Sequence, residues 1–164
     1  MIKWQPFLYN KNTYDLSHLH PFQMTITQDA SNKKPERKYL IQVFFSLHCF
    51  TSSIKGHENI DADLLYKDNR EVRLFDFKRY ELSKLLNKII REIALKKCFH
   101  TGHGNYFIVE VVNETQESIR YEIYFTLSKG KKKLNLFIQS AYSRDSTHKS
   151  SQKKCKPIKF TVLA

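Results

Sequence analysis

Apolar and polar residues alternate along several stretches of the chain, and the clearest of these lie in its second half. Residues 105–112, 120–128 and 133–142 each carry apolar side chains at every second position, as half-buried strands do. The short connections NETQES and KGKK join them, which predicts an antiparallel meander. Further strands are predicted over residues 39–51, residues 72–77 and the final PIKFTVLA.

A helical period replaces this alternation in residues 79–96. One apolar stripe there consists of Leu82, Leu85, Leu86, Ile89 and Ile93. The opposite side carries Lys84, Lys88 and Arg91. Together these patterns predict an α+β fold, in which a twisted antiparallel sheet of about four to six strands packs on one main amphipathic helix.

The length of the chain, 164 residues, fits one domain. Residues 1–38 include the polar cluster TQDASNKKPERK and are predicted to form an irregular N-terminal lead, and residues 39–164 a single α+β domain. No apolar run reaches the roughly 18 residues of a membrane span, and no signal peptide is recognisable. Three cysteines, Cys49, Cys98 and Cys155, lack the spacing of a disulfide framework. We therefore expect a cytoplasmic protein with free thiols and no membrane partner.

The chain is strongly basic, with 28 lysines and arginines against 16 acids and a formal net charge of +12. Residues 128–160 hold ten of these basic residues and one acid. Such an excess indicates either a polyanionic partner, meaning nucleic acid or an anionic membrane surface, or a charge that serves solubility. The predicted nucleic-acid-binding residues are Lys129, Lys131, Lys132 and Lys133 of a hairpin tip, with Lys84, Lys88 and Arg91 of the helix. The alternative is that both sets are simply solvated.

Cys98, His100 and His103 surround two glycines in the stretch KKCFHTGHG. With His48 or Cys49 they could supply four zinc ligands, but C-x-H-x-x-H lacks the usual paired spacing and lysines disfavour a cation, so no metal is predicted. His100 and His103 could instead transfer protons, since imidazole titrates near neutral pH. A third reading is a turn that ends the helix.

The segment IQSAYSRD ends a predicted strand and carries Tyr142 and Arg144. Arg144 could hold a phosphate through two hydrogen bonds, and Tyr142 could stack on a base or donate a proton. The alternative is a turn in which Arg144 pairs with Asp145. Walker loops and the G-x-G-x-x-G, G-x-S-x-G and H-E-x-x-H motifs are missing from the sequence, so nothing points to the chemistries that they support, and no cofactor is predicted.

The helix RYELSKLLNKIIREI leads into NYFIVEVV and YEIYFTLSKGKKKLNLFIQSAY. This order of elements resembles the small RNA-cleaving toxins of the RelE, barnase and colicin type. The resemblance implies metal-independent RNA cleavage and a neutralising partner, such as an acidic antitoxin.

Two functions are therefore predicted from the sequence. The first is a ribonuclease, a growth-inhibiting toxin of a mobile element or toxin–antitoxin pair. In it, His100 or His103 transfers protons, Tyr142 assists or stacks, and Arg144 holds phosphate with the lysines of the hairpin tip. The second is a non-catalytic accessory protein that binds nucleic acid or docks a protein through its basic surface.

Overall fold

The computed structural model of the protein describes residues 3–101, 104–112, 114–144 and 157–163. Most of the ordered backbone in these ranges is β. The strands are β1 (Phe7–Tyr9), β2 (Asn12–Tyr14), β3 (Phe22–Gln28), β4 (Arg37–Phe45), β5 (Thr51–Ser52), β6 (Leu65–Lys67), β7 (Val72–Phe75), β8 (Lys97–His100), β9 (Asn105–Val112), β10 (Ser118–Lys129), β11 (Leu134–Ser143) and β12 (Pro157–Lys159). The α-helices are α1 (Phe77–Ser83), α2 (Leu86–Arg91) and α3 (Phe160–Leu163). Short 3₁₀ helices span Ser17–Leu19, Leu47–Cys49, Ala62–Leu64 and Ile93–Leu95.

The predicted fold class, a sheet packed on one main helix, is wrong. Strands account for 48% of the structure against 19% for helices, so the protein is mainly β, with a curled sheet. The single helix predicted over residues 79–96 consists of α1, α2 and a 3₁₀ turn. Its apolar stripe is nevertheless largely buried, since Leu82 and Ile89 are each 8% exposed and Leu86 and Ile93 are fully buried, whereas Leu85 is 38% exposed.

Side-chain hydrogen bonds mark both ends of α1. The Asp76 carboxylate caps the start of α1 by accepting from the backbone N–H of Arg79 at 3.0 Å. At the other end, the Ser83 hydroxyl donates to the Tyr80 carbonyl at 2.6 Å, and its oxygen also lies 2.8 Å from His18 Nε2. A serine that bonds back to the preceding turn competes with the helical ladder and bends it. The apolar period could not reveal this competition.

The main sheet has seven strands among the described residues, in the order β12-β8-β9-β10-β11-β4-β3. The predicted antiparallel meander of β9, β10 and β11 is confirmed. A parallel pairing of β11 with β4 joins this meander to the β3–β4 hairpin. The sheet is therefore mixed and larger than predicted, because this pairing joins strands that lie far apart in the sequence.

The two faces of the sheet differ in chemistry. On one face, the fully buried side chains of Tyr121, Ile123 and Phe125 belong to the core. Strand alternation turns Glu122 and Tyr124 to the other face. A register shift between Tyr124 and Phe125 interrupts the pairing of β10 with β11.

Residues 1–38 were expected to be irregular, and residues 3–38 contain β1, β2, β3 and the beginning of β4. Trp4 and Phe7 are buried in the core. Phe7 stacks on Phe75 with ring centroids 4.1 Å apart, and Trp4 meets Phe50 edge to face at 5.4 Å. These contacts attach the N-terminal strands to a second, three-stranded sheet of order β5-β7-β6.

In the ranges that the structure describes, no helix combines the length and the apolar character needed to cross a membrane.

Candidate nucleic-acid interface

A fork between two hairpins forms a strongly basic concave surface. β11 and β4 pair in parallel from Leu134 and Ile41 onward. Towards the hairpin tips, each strand pairs only within its own hairpin. The β3–β4 pairing extends to Gln28 opposite Arg37, and the β10–β11 pairing extends to Lys129 opposite Leu134. The hairpin ends therefore diverge, and a cleft of about 510 Å³ lies between them.

We call this space the basic cleft. It is lined by Gln28, Lys34, Arg37, Lys38, Tyr39, Leu40, Lys129, Gly130, Lys131, Lys132, Lys133 and Leu134. Seven of these residues are cationic and none is acidic. Asp29 and Glu36 lie in the same β3–β4 hairpin but do not line the cleft.

The cationic side chains of the basic cleft are exposed, and no described acid lies within ion-pair distance of them. Cations crowded on the walls of one cleft reinforce one another's potential and concentrate anions there. The floor differs in character, since Leu40 is 41% exposed and Leu134 only 8%. Beside them, the half-buried Tyr39 donates its hydroxyl to Gln28 Oε1 at 3.3 Å. The cleft thus joins cationic walls to a partly apolar floor.

The tip of the β10–β11 hairpin depends on a glycine. The backbone N–H of Gly130 donates to the Lys133 carbonyl at 2.7 Å. A Cβ at position 130 would lie 3.0 Å from that carbonyl oxygen, so a larger residue would require the tip to shift by a few tenths of an ångström. The hydrogen bond between Gly130 and Lys133 closes one tight turn that contains Lys131 and Lys132.

Sequence reasoning found one wall of the basic cleft and missed the other. Lys129 and Lys131–Lys133 were predicted to bind nucleic acid, and the structure places them together. It adds Lys34, Arg37 and Lys38, which were assigned to an irregular lead. The basic run NKKPERK was the signal available for them.

The three helix cations predicted to join them do not line the basic cleft. The Lys84 ammonium lies 3.1 Å from a Glu81 carboxylate oxygen, and it also lies over the Tyr80 ring. Arg91 packs over the Phe22 ring. Lys88 is exposed on α2.

Tyr142 and Arg144 lie at the opposite end of the hairpin from its tip. Arg144 Nη2 donates to the Tyr142 hydroxyl at 3.2 Å, and Arg144 Nε lies 2.6 Å from Glu122 Oε2. Glu122 is fully buried. The Arg144 Nε–H and the Glu122 carboxylate oxygen are oriented as an ion pair rather than as a linear hydrogen bond. The hydrogen bond to Tyr142 raises the pKa of Arg144, as does the charge of Glu122, whereas burial opposes the shift. At about 3.3 Å per residue, Tyr142 lies roughly 30 Å along β11 from Lys133.

Tyr142 is also the last ring of an aromatic stack that crosses four strands of the sheet. Ring centroids lie 5.1 Å apart for Phe99 and Tyr106, 5.5 Å for Tyr106 and Tyr124, and 5.7 Å for Tyr124 and Tyr142. The guanidinium of Arg79 lies 5.0 Å from the Tyr142 ring centre. These contacts join side chains of neighbouring strands, and they stabilise the base of the hairpin.

His100 is separated from Tyr142 and Arg144. It lies on β8, three strands from β11 in the sheet order, which corresponds to about 14 Å at roughly 4.8 Å per strand. Because Phe99 shares the face of the aromatic stack, strand alternation turns His100 to the other face. His100 Nδ1 lies 2.8 Å from Asn105 Oδ1. The structure thus does not bring His100 together with the other two described candidates.

The remaining candidates of the KKCFHTGHG stretch give no further site. His103 lies outside the described residues, so its predicted role stays a prediction. Burial raises the pKa of the Cys98 thiol to about 12, which keeps it protonated at neutral pH. Among the residues that the structure describes, no three His, Cys, Asp or Glu side chains are grouped so as to hold a metal ion.

Comparison with known proteins places the chain in a family. The model of the YjaZ family matches residues 6–164, which include all residues that line the basic cleft. This chain belongs to the YjaZ family. Protein YjaZ of Escherichia coli (strain K12) is 32% identical over 165 residues, covering 99% of this chain and 89% of that protein. No solved structure matches. Membership of the YjaZ family does not bear on the resemblance to RNA-cleaving toxins, which stays a prediction.

Proposed function

We propose that this member of the YjaZ family binds nucleic acid in the basic cleft. The observation that carries the proposal is the lining itself, in which seven cations stand on two hairpin walls without an acid among them. Lysine and arginine side chains that neutralise phosphates release condensed counterions, and this release supplies most of the affinity of a sequence-independent contact.

The floor of the basic cleft supports nucleic acid over an acidic protein as the ligand. A nucleotide presents a phosphate next to an apolar base face, and the cleft presents lysines next to Tyr39 and the exposed Leu40. Aromatic and apolar surfaces beside a cationic groove are the usual means of holding an unpaired strand.

The proposal concerns binding, because the described candidates for proton transfer do not line the basic cleft. His100, Tyr142 and Arg144 lie elsewhere in the sheet.

The test compares two variants that remove the same charge from different surfaces. One replaces Lys131, Lys132 and Lys133 with Gln, and its matched control replaces Lys84, Lys88 and Arg91 with Gln. Affinity for fluorescent oligo-rU and oligo-dT is measured by anisotropy from 50 to 300 mM salt. The tip variant should lose on the order of tenfold to a hundredfold in affinity, and its salt slope should fall by about 2–3, since each phosphate contact contributes roughly 0.7–0.9. The helix variant should bind nearly as the parent does.

Two results would contradict the proposal. Equal losses in both variants would mean that net charge matters and the basic cleft does not. Equal affinity for polyglutamate of the same length would mean that the cleft recognises negative charge alone, as a protein-docking surface does.

A further inference from the structure

A second and larger cleft opens on the same pair of strands as the basic cleft. Its volume is about 1030 Å³, and Phe45 of β4 and Phe137 of β11 are among its lining residues. Leu40 of the basic cleft lies four residues before Phe44, the residue that pairs with Phe137, so Leu40 and Phe137 share one face of the sheet about 13 Å apart along the strands. A single strand held in the basic cleft could reach the second cleft within a few nucleotides.

The second cleft contains a histidine paired with a carboxylate. His48 Nε2 lies 2.5 Å from Glu71 Oε1, and both residues line the cleft. The His48 backbone is fixed on both sides, since its N–H donates to Ser46 Oγ at 3.0 Å and its carbonyl accepts from Arg79 Nη1 at 3.0 Å. The N–H of Glu71 donates to Asp68 Oδ1 at 2.9 Å. Such supporting bonds hold a pair of functional groups in one geometry before a ligand arrives.

This arrangement leaves one ring nitrogen of His48 available. A carboxylate on Nε2 favours the tautomer that carries its proton there, which gives Nδ1 a free lone pair. No described residue forms a hydrogen bond with Nδ1, and the His48 side chain is 34% exposed. A neutral imidazole oriented by a carboxylate is a general base.

The cleft also supplies cations. Lys3, Lys67 and Arg70 line it. Of the two acids there, Glu71 is occupied by His48, and Asp68 accepts from the backbone N–H groups of Arg70 and Glu71. Cations beside a general base stabilise negative charge that develops on a phosphate as it reacts.

We propose that the second cleft cleaves RNA with His48 as the general base and Glu71 as its orienting partner. His48 Nδ1 takes the proton of a 2′-hydroxyl, and that oxygen bonds to the adjacent phosphorus. The bond from phosphorus to the 5′-oxygen breaks, and the leaving oxygen takes a proton from water, while the imidazolium returns its proton to solvent. The products are a 2′,3′-cyclic phosphate and a 5′-hydroxyl. This inference rests on the proposed function, because the basic cleft would hold the substrate.

The experiment separates binding from cleavage. A labelled RNA 12-mer and its DNA counterpart are incubated with the full chain in EDTA, binding is measured by anisotropy, and products are identified by mass spectrometry. The RNA should be cut to cyclic phosphates and the DNA, which lacks the 2′-hydroxyl, should bind uncut. His48→Ala should lower the cleavage rate by about 10²–10⁴-fold without weakening RNA binding, which a general base predicts. His57→Ala, which removes another exposed histidine, is the control and should cut normally.

Additional variants guard against misfolding and separate the two roles. His48→Gln, which retains a donor toward Glu71, should fold and remain inactive, and Glu71→Gln should retain binding but cut more slowly. The tip variant should raise KM and leave kcat nearly unchanged. RNA that binds and stays intact would overturn this inference and leave the proposed function standing. Cleavage of the DNA, or a normal cleavage rate in His48→Gln, would also overturn the inference that His48 is the general base. RNA that does not bind at all would refute the proposed function instead.

Discussion

The two ends of the β10–β11 hairpin use cationic side chains in opposite ways. At the tip, Lys131, Lys132 and Lys133 are exposed and have no acidic partner among the described residues. At the base, Arg144 is 26% exposed and forms an ion pair with Glu122, which is fully buried. One end has unbalanced charge that is open to a ligand, whereas the other has balanced charge that is part of the fold.

The two ends differ in whether the cation has a buried acidic partner. A buried carboxylate requires a counter-charge, because desolvation of an unpaired ion costs several kcal/mol. Arg144 supplies that counter-charge and contacts Tyr142 as well. Solvated lysines at a turn contribute little to stability, so they can serve binding.

The largest expected effect is at the base of the hairpin. Arg144→Met should lower the free energy of unfolding by about 3 kcal/mol, because it leaves Glu122 buried without a counter-charge. We place the effect at the low end of the range for buried pairs, because Arg144 keeps contact with solvent. Urea denaturation measures it.

Removing both charges provides the control for this prediction. The double variant Glu122→Leu with Arg144→Met should recover most of the lost stability, since an apolar pair of similar size often replaces a buried ion pair without loss. A change below about 1 kcal/mol in Arg144→Met alone would show that the carboxylate is compensated in another way.

An intermediate effect is expected at Tyr142. Tyr142→Leu keeps part of the apolar volume but removes the stacking on Tyr124, the contact with Arg79 and the hydrogen bond from Arg144. Stacked rings and cation–π contacts each contribute about 0.5–1.5 kcal/mol, so the free energy of unfolding should fall by roughly 1–2 kcal/mol. Thermal unfolding followed by circular dichroism would measure it, and a stability equal to the parent's would mean that the stack is incidental.

The smallest effect on stability is expected at the tip. Replacing Lys131, Lys132 and Lys133 with Gln should change the free energy of unfolding by less than about 0.5 kcal/mol, as exposed substitutions usually do. The same variant should lose nucleic-acid affinity. Substitutions at the tip should therefore change binding, and substitutions at the base should change stability. A loss of stability comparable to that of Arg144→Met would mean that the lysines serve the fold.

Local pattern predicted some elements of the structure well and others poorly. The alternation in β9, β10 and β11 gave their order and antiparallel pairing, because neighbours joined by short loops can hardly pair otherwise. The helix was predicted too long, because Ser83 bonds back to Tyr80 and His18, which lies 65 residues away, also contacts it. No periodicity of apolar residues contains that information.

In the candidate site as well, the sequence predicted some residues and not others. The sequence KGKKK predicts a cationic tip, whereas Lys34, Arg37 and Lys38 fall in the predicted irregular lead and meet that tip only through the pairing of β11 with β4. His48 was considered as a zinc ligand, while its partner Glu71 lies 23 residues further along the chain. Pairing between remote segments decided which of the many polar residues meet.

The sequence by itself determined the hairpin strands, the cationic tip and the excess of positive charge, since each depends on neighbouring residues. Tertiary structure alone decided that the tip faces a second basic wall, that Arg144 neutralises a buried Glu122, and that Glu71 orients His48. The physical reason is that burial and charge pairing depend on distances between side chains that the chain brings together only when it folds.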